Sequence, residues 1–278
     1  MNRANIYARR KGGALTTRCT TLTANHQSII TGFLLGDGCV TQNGNNRTPR
    51  LSLTSTEPEY AQAMMAALPF EWTPPQITPA QSMLIKSQTC QCKESWRVHS
   101  LADNCLRVYH DEWYSTGKKI VPADVALTPE AVLHWFLGDG SSTWQGRPGK
   151  QHTLLSFATH GFTKAECEML CDKLKEADSR MTFQIHRQRA YWVVETNKYS
   201  AVSAFYEYIG ACPYPCFEYK WKHPLRHTRK VLSAADVVRA AEMRLTGMTF
   251  KLIAQRFGVS LRTVWNAVNH QRGYALQS

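Results

Sequence analysis

Two stretches of this 278-residue chain contain no acidic residue at all. Residues 1–36 hold five Lys or Arg and no Asp or Glu, and residues 219–232 hold five more, again without an acid. Long apolar runs are also missing. None approaches the ~20 residues that a membrane span requires, so no membrane association is expected, and no charged leader with an apolar core marks a secretory signal. There is no glycine-rich phosphate cradle and no Ser, His and Asp arrangement that reads as a hydrolase triad. The nine cysteines are an odd count at irregular spacing. That argues for free, mostly buried thiols in a reducing, intracellular compartment: a bacterial or phage cytoplasm, or an organellar matrix if Arg9-Arg10-Lys11 belongs to a presequence. Cys90 and Cys92, with Cys212 and Cys216, lack the spacing of a zinc site.

What is present is basic charge, unevenly placed. The formal net charge is +12. Residues 233–278 add six Lys or Arg against two acids, which leaves residues 37–218 at a net −2. Basic flanks around a near-neutral middle point to a polyanionic partner, because Lys and Arg gain affinity by releasing phosphate counterions.

The chemistry centres on Ile30-Thr-Gly-Phe-Leu-Leu-Gly-Asp-Gly38 and its near-copy Val132-Leu-His-Trp-Phe-Leu-Gly-Asp-Gly140. Each is an apolar helical run ending in Gly-Asp-Gly, and the two aspartates, Asp37 and Asp139, lie 102 positions apart. The C-terminus of a helix carries partial negative charge, so a carboxylate there is disfavoured. Two such carboxylates imply a bound positive group such as a metal ion.

A repeat surrounds them. The first half reads as helix over 25–36, strands at 39–42 and 50–54, then a helix to about 68 opened by the capping box Thr56-Glu-Pro-Glu59. A Pro-rich loop spans 69–79, strands at 83–88 and 95–99 pair with each other, and a helix covers 101–114. The second half reads as helix over 128–138, strands at 141–144 and 153–158, and a helix to 177 from the capping box Thr163-Lys-Ala-Glu166. Strands follow at 181–186 and 191–195 around a turn near Arg189, then a helix over 200–209. Helices are expected at 233–245, 249–257 and 260–269, with Ile253, Ala254, Phe257, Gly258, Val259 and Val264 spaced as the core and turn of a helix-turn-helix. On its third helix Ser260, Arg262, Thr263 and Asn266 are the candidate base-edge contacts. The organisation is therefore a basic arm (1–24), two similar subdomains (25–116 and 117–218), a basic linker (219–232) and a small α-helical domain (233–278).

The duplicated Gly-Asp-Gly helices in this repeat resemble the LAGLIDADG homing endonucleases in their single-chain form. The run Gly117-Lys-Lys-Ile-Val-Pro122, Leu127-Thr-Pro-Glu130 and Leu133-His-Trp-Phe-Leu-Gly-Asp-Gly140 resembles the lead into the second motif in the intron-encoded branch of that family. The resemblance covers about residues 25–222. It implies an α+β fold: a pseudo-twofold pair of αββαββα subdomains with saddle-shaped antiparallel sheets, plus the small all-α helix-turn-helix domain. The motif helices would pack side by side, with Gly32, Gly36 and Gly138 allowing close approach. His134, which matches Gly32, departs from that pattern and is expected as a satisfied core histidine.

The resemblance also implies a site and an activity. Asp37 and Asp139, with the carbonyls of Gly36 and Gly138, would hold Mg²⁺, and Lys119 (or Lys118) and Lys220 (or Lys222) would supply a cation to each phosphate. Strand-borne candidates for reading bases are Arg47, Arg50, Lys86, Lys93 and Arg97 in the first half, and Arg180, Arg187, Arg189 and Lys198 in the second. The implied function is site-specific double-strand cleavage in intron homing, leaving 3′ overhangs, by a monomer acting on a long, asymmetric duplex. The alternatives are a DNA-binding transcription regulator derived from the same fold, against which both retained acids argue, and an intron maturase that binds RNA.

Overall fold

In the structure, a computed structural model, residues 18–42, 48–85, 88–146, 151–222 and 232–269 are described. The chain divides into two compact units, Met1–Leu225 and Arg226–Ser278.

The first unit contains the repeat. Its first half runs α1 (Ala24–Leu35), β1 (Cys39–Thr41), β2 (Arg50–Ser55), α2 (Pro58–Ala67), β3 (Gln76–Thr78), β4 (Gln81–Ile85), β5 (Gln88–Cys92), β6 (Ser95–His99), a 3-10 turn (Asn104–Leu106) and α3 (Arg107–Trp113). Its second half runs α4 (Pro129–Asp139), β7 (Gly140–Gln145), β8 (His152–Phe157), α5 (Lys164–Ala177), β9 (Gln184–Gln188), β10 (Tyr191–Thr196), α6 (Tyr199–Ile209) and a 3-10 turn (Pro215–Lys220). The two four-stranded antiparallel sheets have matching orders, β1-β2-β6-β3 and β7-β8-β10-β9.

Three local expectations are corrected. The segment 69–79 is not all loop, because β3 lies within it and forms the sheet edge beside β6. The strands near 83–88 and 95–99 do not pair: β4 pairs with β5 in a separate hairpin, and β6 inserts between β2 and β3. Alternation cannot distinguish a sheet strand from a hairpin arm, which is why the partner choice failed. Thr56 caps nothing. Pro58 fixes the first helical position, so Glu57 becomes the N-cap and makes no side-chain cap bond. The box at Thr163 and Glu166 does form.

The core runs continuously through both halves around α1 and α4, whose apolar faces are almost wholly buried (Ile30, Leu34, Leu35, Val132, Trp135, Phe136). Aromatic packing under α4 is dense, with Trp135 stacked on Phe157 at 3.9 Å. Each sheet turns one face to this core: Val40, Leu51, Leu53 and Val98 in the first, Leu155, Phe157 and Val194 in the second. The opposite faces stay open. Among the described residues no helix is long and apolar enough to cross a membrane. The described cysteines are all free, but most are only half-buried, Cys19 is exposed and Cys167 alone is fully buried. The expectation of mostly buried thiols was thus too simple.

The second unit holds three helices, α7 (Ala234–Leu245), α8 (Phe250–Phe257) and α9 (Leu261–Val268), around Val237, Ala240, Ile253, Phe257, Val264 and Ala267. Ser233, Thr249 and Ser260 each cap a helix start through the side-chain oxygen. Gly258 ends α8 in the left-handed conformation (φ 63°), which a side chain there would strain.

Candidate active site

The site is built where α1 and α4 end side by side. Gly32 sets how closely they approach: a Cβ added there would strike the Ala131 carbonyl oxygen and lie 2.6 Å from His134 Cβ. His134 therefore does not widen the crossing, since its Cβ uses the space that Gly32 leaves. Nearer the helix ends the fit relaxes. A Cβ on Gly36 would be 3.8 Å from Gly138 Cα, and one on Gly138 would be 3.5 Å from the Asp37 nitrogen. The aspartates are thereby brought together from opposite halves. Asp139 is the last residue of α4, while α1 ends two residues earlier in the matched motif, with Gly36 as C-cap and Asp37 just beyond it.

The local electrostatics are those of crowded carboxylates. Burial raises the pKa of Asp139 to about 7, with a further push from Asp37, against partial relief from Lys119 and Lys220. Burial also raises Asp37, and the same two lysines oppose the shift. Both lysines are lowered in turn, chiefly by burial, Lys220 to about 8.

The lysines do something the sequence did not suggest. Lys119 Nζ donates to the carbonyls of Gly36 (2.8 Å) and Gly38 (2.9 Å). Lys220 Nζ donates to Phe136 (2.8 Å), Leu137 (2.7 Å) and Gly140 (2.7 Å). Each ammonium thus satisfies carbonyls left open at the end of a motif helix and neutralises its negative pole, so a carboxylate can stand there. An ammonium has three protons. Lys220 has spent all of them on protein, whereas Lys119 keeps one. Their runners-up are elsewhere: Lys118 is exposed, and Lys222 pairs with Glu218 at the surface (3.4 Å). Lys220 is itself positioned by Tyr206, whose hydroxyl donates to the Lys220 carbonyl (2.7 Å). Lys220→Met should remove the ammonium donor from the Leu137 and Gly140 carbonyls, while Phe136 keeps the Gly140 N–H, at about 1–3 kcal/mol for each carbonyl left without a donor that water cannot reach. We expect it to lower the melting temperature more than Lys119→Met does; equal losses in thermal unfolding would contradict this accounting.

The donor set suits a hard cation. Among the described residues no group of three or more His, Cys, Asp or Glu gathers anywhere. The centre offers two carboxylates and backbone carbonyls, all oxygen. Gly36 already gives one lone pair to Lys119, which leaves its carbonyl a second.

The base-reading candidates divide. Arg50 pairs with Thr41, and Arg97 with Thr54 and Gln76. Both stand on the open face of the first sheet, where Arg97 Nε donates to Thr54 Oγ1 (3.3 Å). Lys93 is exposed in the turn before β6, not on a strand. Arg47 and Lys86 lie outside the described residues. Arg187 lies opposite Trp192 in the register, on the side of Ile185 and Val194, so it faces away from the open surface and sits over the Trp192 ring (6.0 Å). Arg180 is in the turn after α5, tied by Asp178 (2.7 Å) and Glu207 (2.7 Å), and is not strand-borne. β9 begins at Gln184, three residues later than expected. Lys198 is the N-cap of α6. Arg189 occupies the hairpin turn with a positive φ of 56°. The open face of the second sheet instead presents Gln184, His186 and Gln188 from β9, with Thr143, Gln145 and His152. A search for cations alone misses these; strand alternation with amide-bearing residues would have found them.

In the second unit Ser260 and Thr263 are occupied with each other (2.7 Å) in the cap of α9. Arg262 is exposed and Asn266 half-buried. The exposed face also carries Leu261 and Trp265, which were not among the candidates.

Two matching halves, each delivering one carboxylate to a shared cleft floor beneath an open antiparallel sheet, define a duplicated α+β fold with one composite centre. Residues 27–202 match the family model of the LAGLIDADG DNA endonuclease family, and the chain belongs to that family. It is 28% identical over 217 residues to the uncharacterized protein MJ1098 of Methanocaldococcus jannaschii, covering 76% of this chain and 78% of that one. Among solved structures it is similar to the homing endonuclease I-WcaI bound to its DNA recognition sequence, with a TM-score of 0.62, 19% identity, and coverage of 74% of this chain and 89% of that chain. Full-length WhiA from Thermatoga maritima is a more distant likeness, at 12% identity and a TM-score of 0.41, with coverage of 90% and 92%.

Proposed function

We propose that this protein is a site-specific endonuclease that cuts both strands of a DNA duplex by metal-dependent phosphodiester hydrolysis and leaves 3′ overhangs, in the service of intron homing. The observation that carries the reading is the convergence of Asp37 and Asp139 between two capping lysines, with both carboxylates pushed up by burial. A scaffold kept only for binding DNA has no use for two mutually repelling acids at its centre. Asp37, Asp139 and the Gly36 and Gly138 carbonyls would hold Mg²⁺. When bound, the ion would lower the pKa of a hydrolytic water and take up charge on the leaving oxygen. The chain's own share is positional. Gly32 fixes the helix approach that sets the carboxylates' separation, and Lys119 and Lys220 hold the helix ends rigid. Lys119, with one proton uncommitted, is the better placed of the two to reach a phosphate oxygen.

Arg50 and Arg97 on the first sheet and Gln184, His186 and Gln188 on the second would read bases, since Arg and Gln side chains match guanine and adenine edges. Two dissimilar open faces suit an asymmetric target. The three-helix unit would extend the contacts along the duplex through Arg262, Asn266, Leu261 and Trp265 of α9. The deciding experiment is incubation with Mg²⁺ and duplex DNA carrying the uninterrupted insertion site, with both cut ends mapped. Staggered 3′ overhangs are expected. Tight binding without cleavage would instead favour a regulator built on the same fold. Deleting residues 233–278 should shorten the footprint and weaken binding while cutting persists; an unchanged footprint would remove that unit from target recognition.

A further inference from the structure

A cavity of about 290 Å³ opens beside Asp37, with room for several waters. It is lined by Asp37, Gly138 and Lys220 on one side and by Tyr60, His134 and Phe217 on the other. Behind this second wall three side chains run outward in line. The buried Tyr60 hydroxyl meets His134 Nδ1 at 2.7 Å, and His134 Nε2 meets Glu130 Oε1 at 3.0 Å. The His134 side chain is fully enclosed, while Glu130 is about one-third exposed (36%).

The proton positions follow from the inventory of donors. Glu130, held below its usual range mainly by the bond from His134, is a carboxylate and only accepts. With neutral imidazole, His134 Nε2 must then donate, which leaves Nδ1 as an acceptor, so Tyr60 must donate to it. Both bonds then run in one direction, from Tyr60 through His134 to Glu130, and Tyr60 and His134 both line the cavity beside Asp37. This is the hydroxyl, imidazole and carboxylate order in which the carboxylate fixes the tautomer and stabilises the imidazolium once it forms.

We propose that Tyr60, His134 and Glu130 form a proton relay serving the hydrolytic water on the Asp37 side of the cleft. The inference rests on the nuclease reading. As the water oxygen bonds to phosphorus and the 3′ oxygen leaves with the bonding pair, the water's proton passes to Tyr60 Oη while Tyr60's own proton moves to His134 Nδ1. The imidazolium is held by the Glu130 carboxylate, which stays ionised. After the product departs, the proton returns by the same bonds to water in the reopened cavity, restoring the starting tautomer. Tyr60 and His134 belong to opposite halves, so the relay also spans their junction. It has no mate across the pseudo-twofold: the position matching His134 is Gly32, which has no side chain. One strand should therefore depend on the relay and the other should not.

The test uses the full chain and its Tyr60→Phe and Glu130→Gln variants, with each strand's cutting followed separately under single turnover in Mg²⁺. Positioned proton transfer commonly contributes about 10²–10⁴-fold, and for a step relayed through a hydroxyl we expect about tenfold. Both variants should bind DNA as the parent does, slow one strand about tenfold and accumulate a nicked intermediate. In the parent, ¹⁵N-histidine spectra should show His134 protonated on Nε2. Parental rates on both strands, equal slowing of both strands, slowing by Tyr60→Phe but not by Glu130→Gln, or a His134 protonated on Nδ1 would each overturn the relay. A parent that cuts neither strand removes the nuclease reading and the relay with it, whereas an active parent with unaffected variants removes the relay alone.

Discussion

Asp139→Asn will lose double-strand cutting and yet melt at a higher temperature than the parent at pH 8 in the absence of divalent metal. On the proposed function, the loss follows from removing a carboxylate that would hold the metal ion. Such ligands support several kcal/mol of transition-state stabilisation, or about a thousandfold and more in rate. The gain follows from linkage. Asp139 titrates near 7 in the folded chain because of burial and the adjacent Asp37, well above its unfolded range near 3.9. A group raised in this way binds more protons folded than unfolded. Its stabilising contribution is complete below about pH 4 and is lost as pH rises through about 7. At pH 8 the ionised Asp139 is a net cost, and asparagine removes it. After allowance for solvent screening we take this as about 1 kcal/mol, which is about 2–4 °C for a chain of this size. The advantage should shrink as pH falls through about 7 and vanish only below about pH 4. Saturating Mg²⁺ should raise the parent's melting temperature and not the variant's, because only the parent retains the full site. A variant that melts lower at pH 8, or still cuts both strands, would show that Asp139 is neither strained nor needed.

Gly32→Ala should be strongly damaging for a single methyl group. Its Cβ would strike the Ala131 carbonyl oxygen and lie 2.6 Å from His134 Cβ. Both are anchored on α4, so neither can swing aside as the end of a flexible side chain would. The helices must separate or shear. Overpacking of this kind costs about 1–3 kcal/mol, occasionally more, and we expect the upper end, a fall of about 6–12 °C. Gly36→Ala is the control, because its Cβ would meet nothing nearer than 3.6 Å. Thermal unfolding of the pair separates close packing from any general preference for glycine. Similar melting temperatures would refute the assignment of Gly32 as the contact that fixes the crossing.

Much of this was legible in the residues. The Gly-Asp-Gly pair, the repeated order of elements and the box at Thr163 and Glu166 all depend on local pattern, and local pattern survives into the fold. What failed was relational. Whether β6 pairs with β4 or with β2 and β3 is decided across the sheet, where alternation is silent. Whether Arg187 faces the open surface depends on register, and it lies opposite Trp192. Lys119 and Lys220 do reach the ends of the motif helices, but their role as caps on helix carbonyls depends on partners 80 to 84 positions away. No window of sequence contains such a bond. His134 is the instructive case. It was expected to be a satisfied core histidine, and both ring nitrogens are indeed bonded. What only the structure supplies is that one of those bonds leads to a cavity.

The capping lysines also impose a schedule on synthesis. The end of α1 is closed by Lys119 and the end of α4 by Lys220, each from chain made long after the helix it completes. While a ribosome is still translating α5 or α6, both aspartates already exist but α4 lacks its cap, and its last carbonyls must turn to water. The paired centre is finished only when residue 220 has left the exit tunnel. A nascent chain of this build is held incomplete until its first unit is whole.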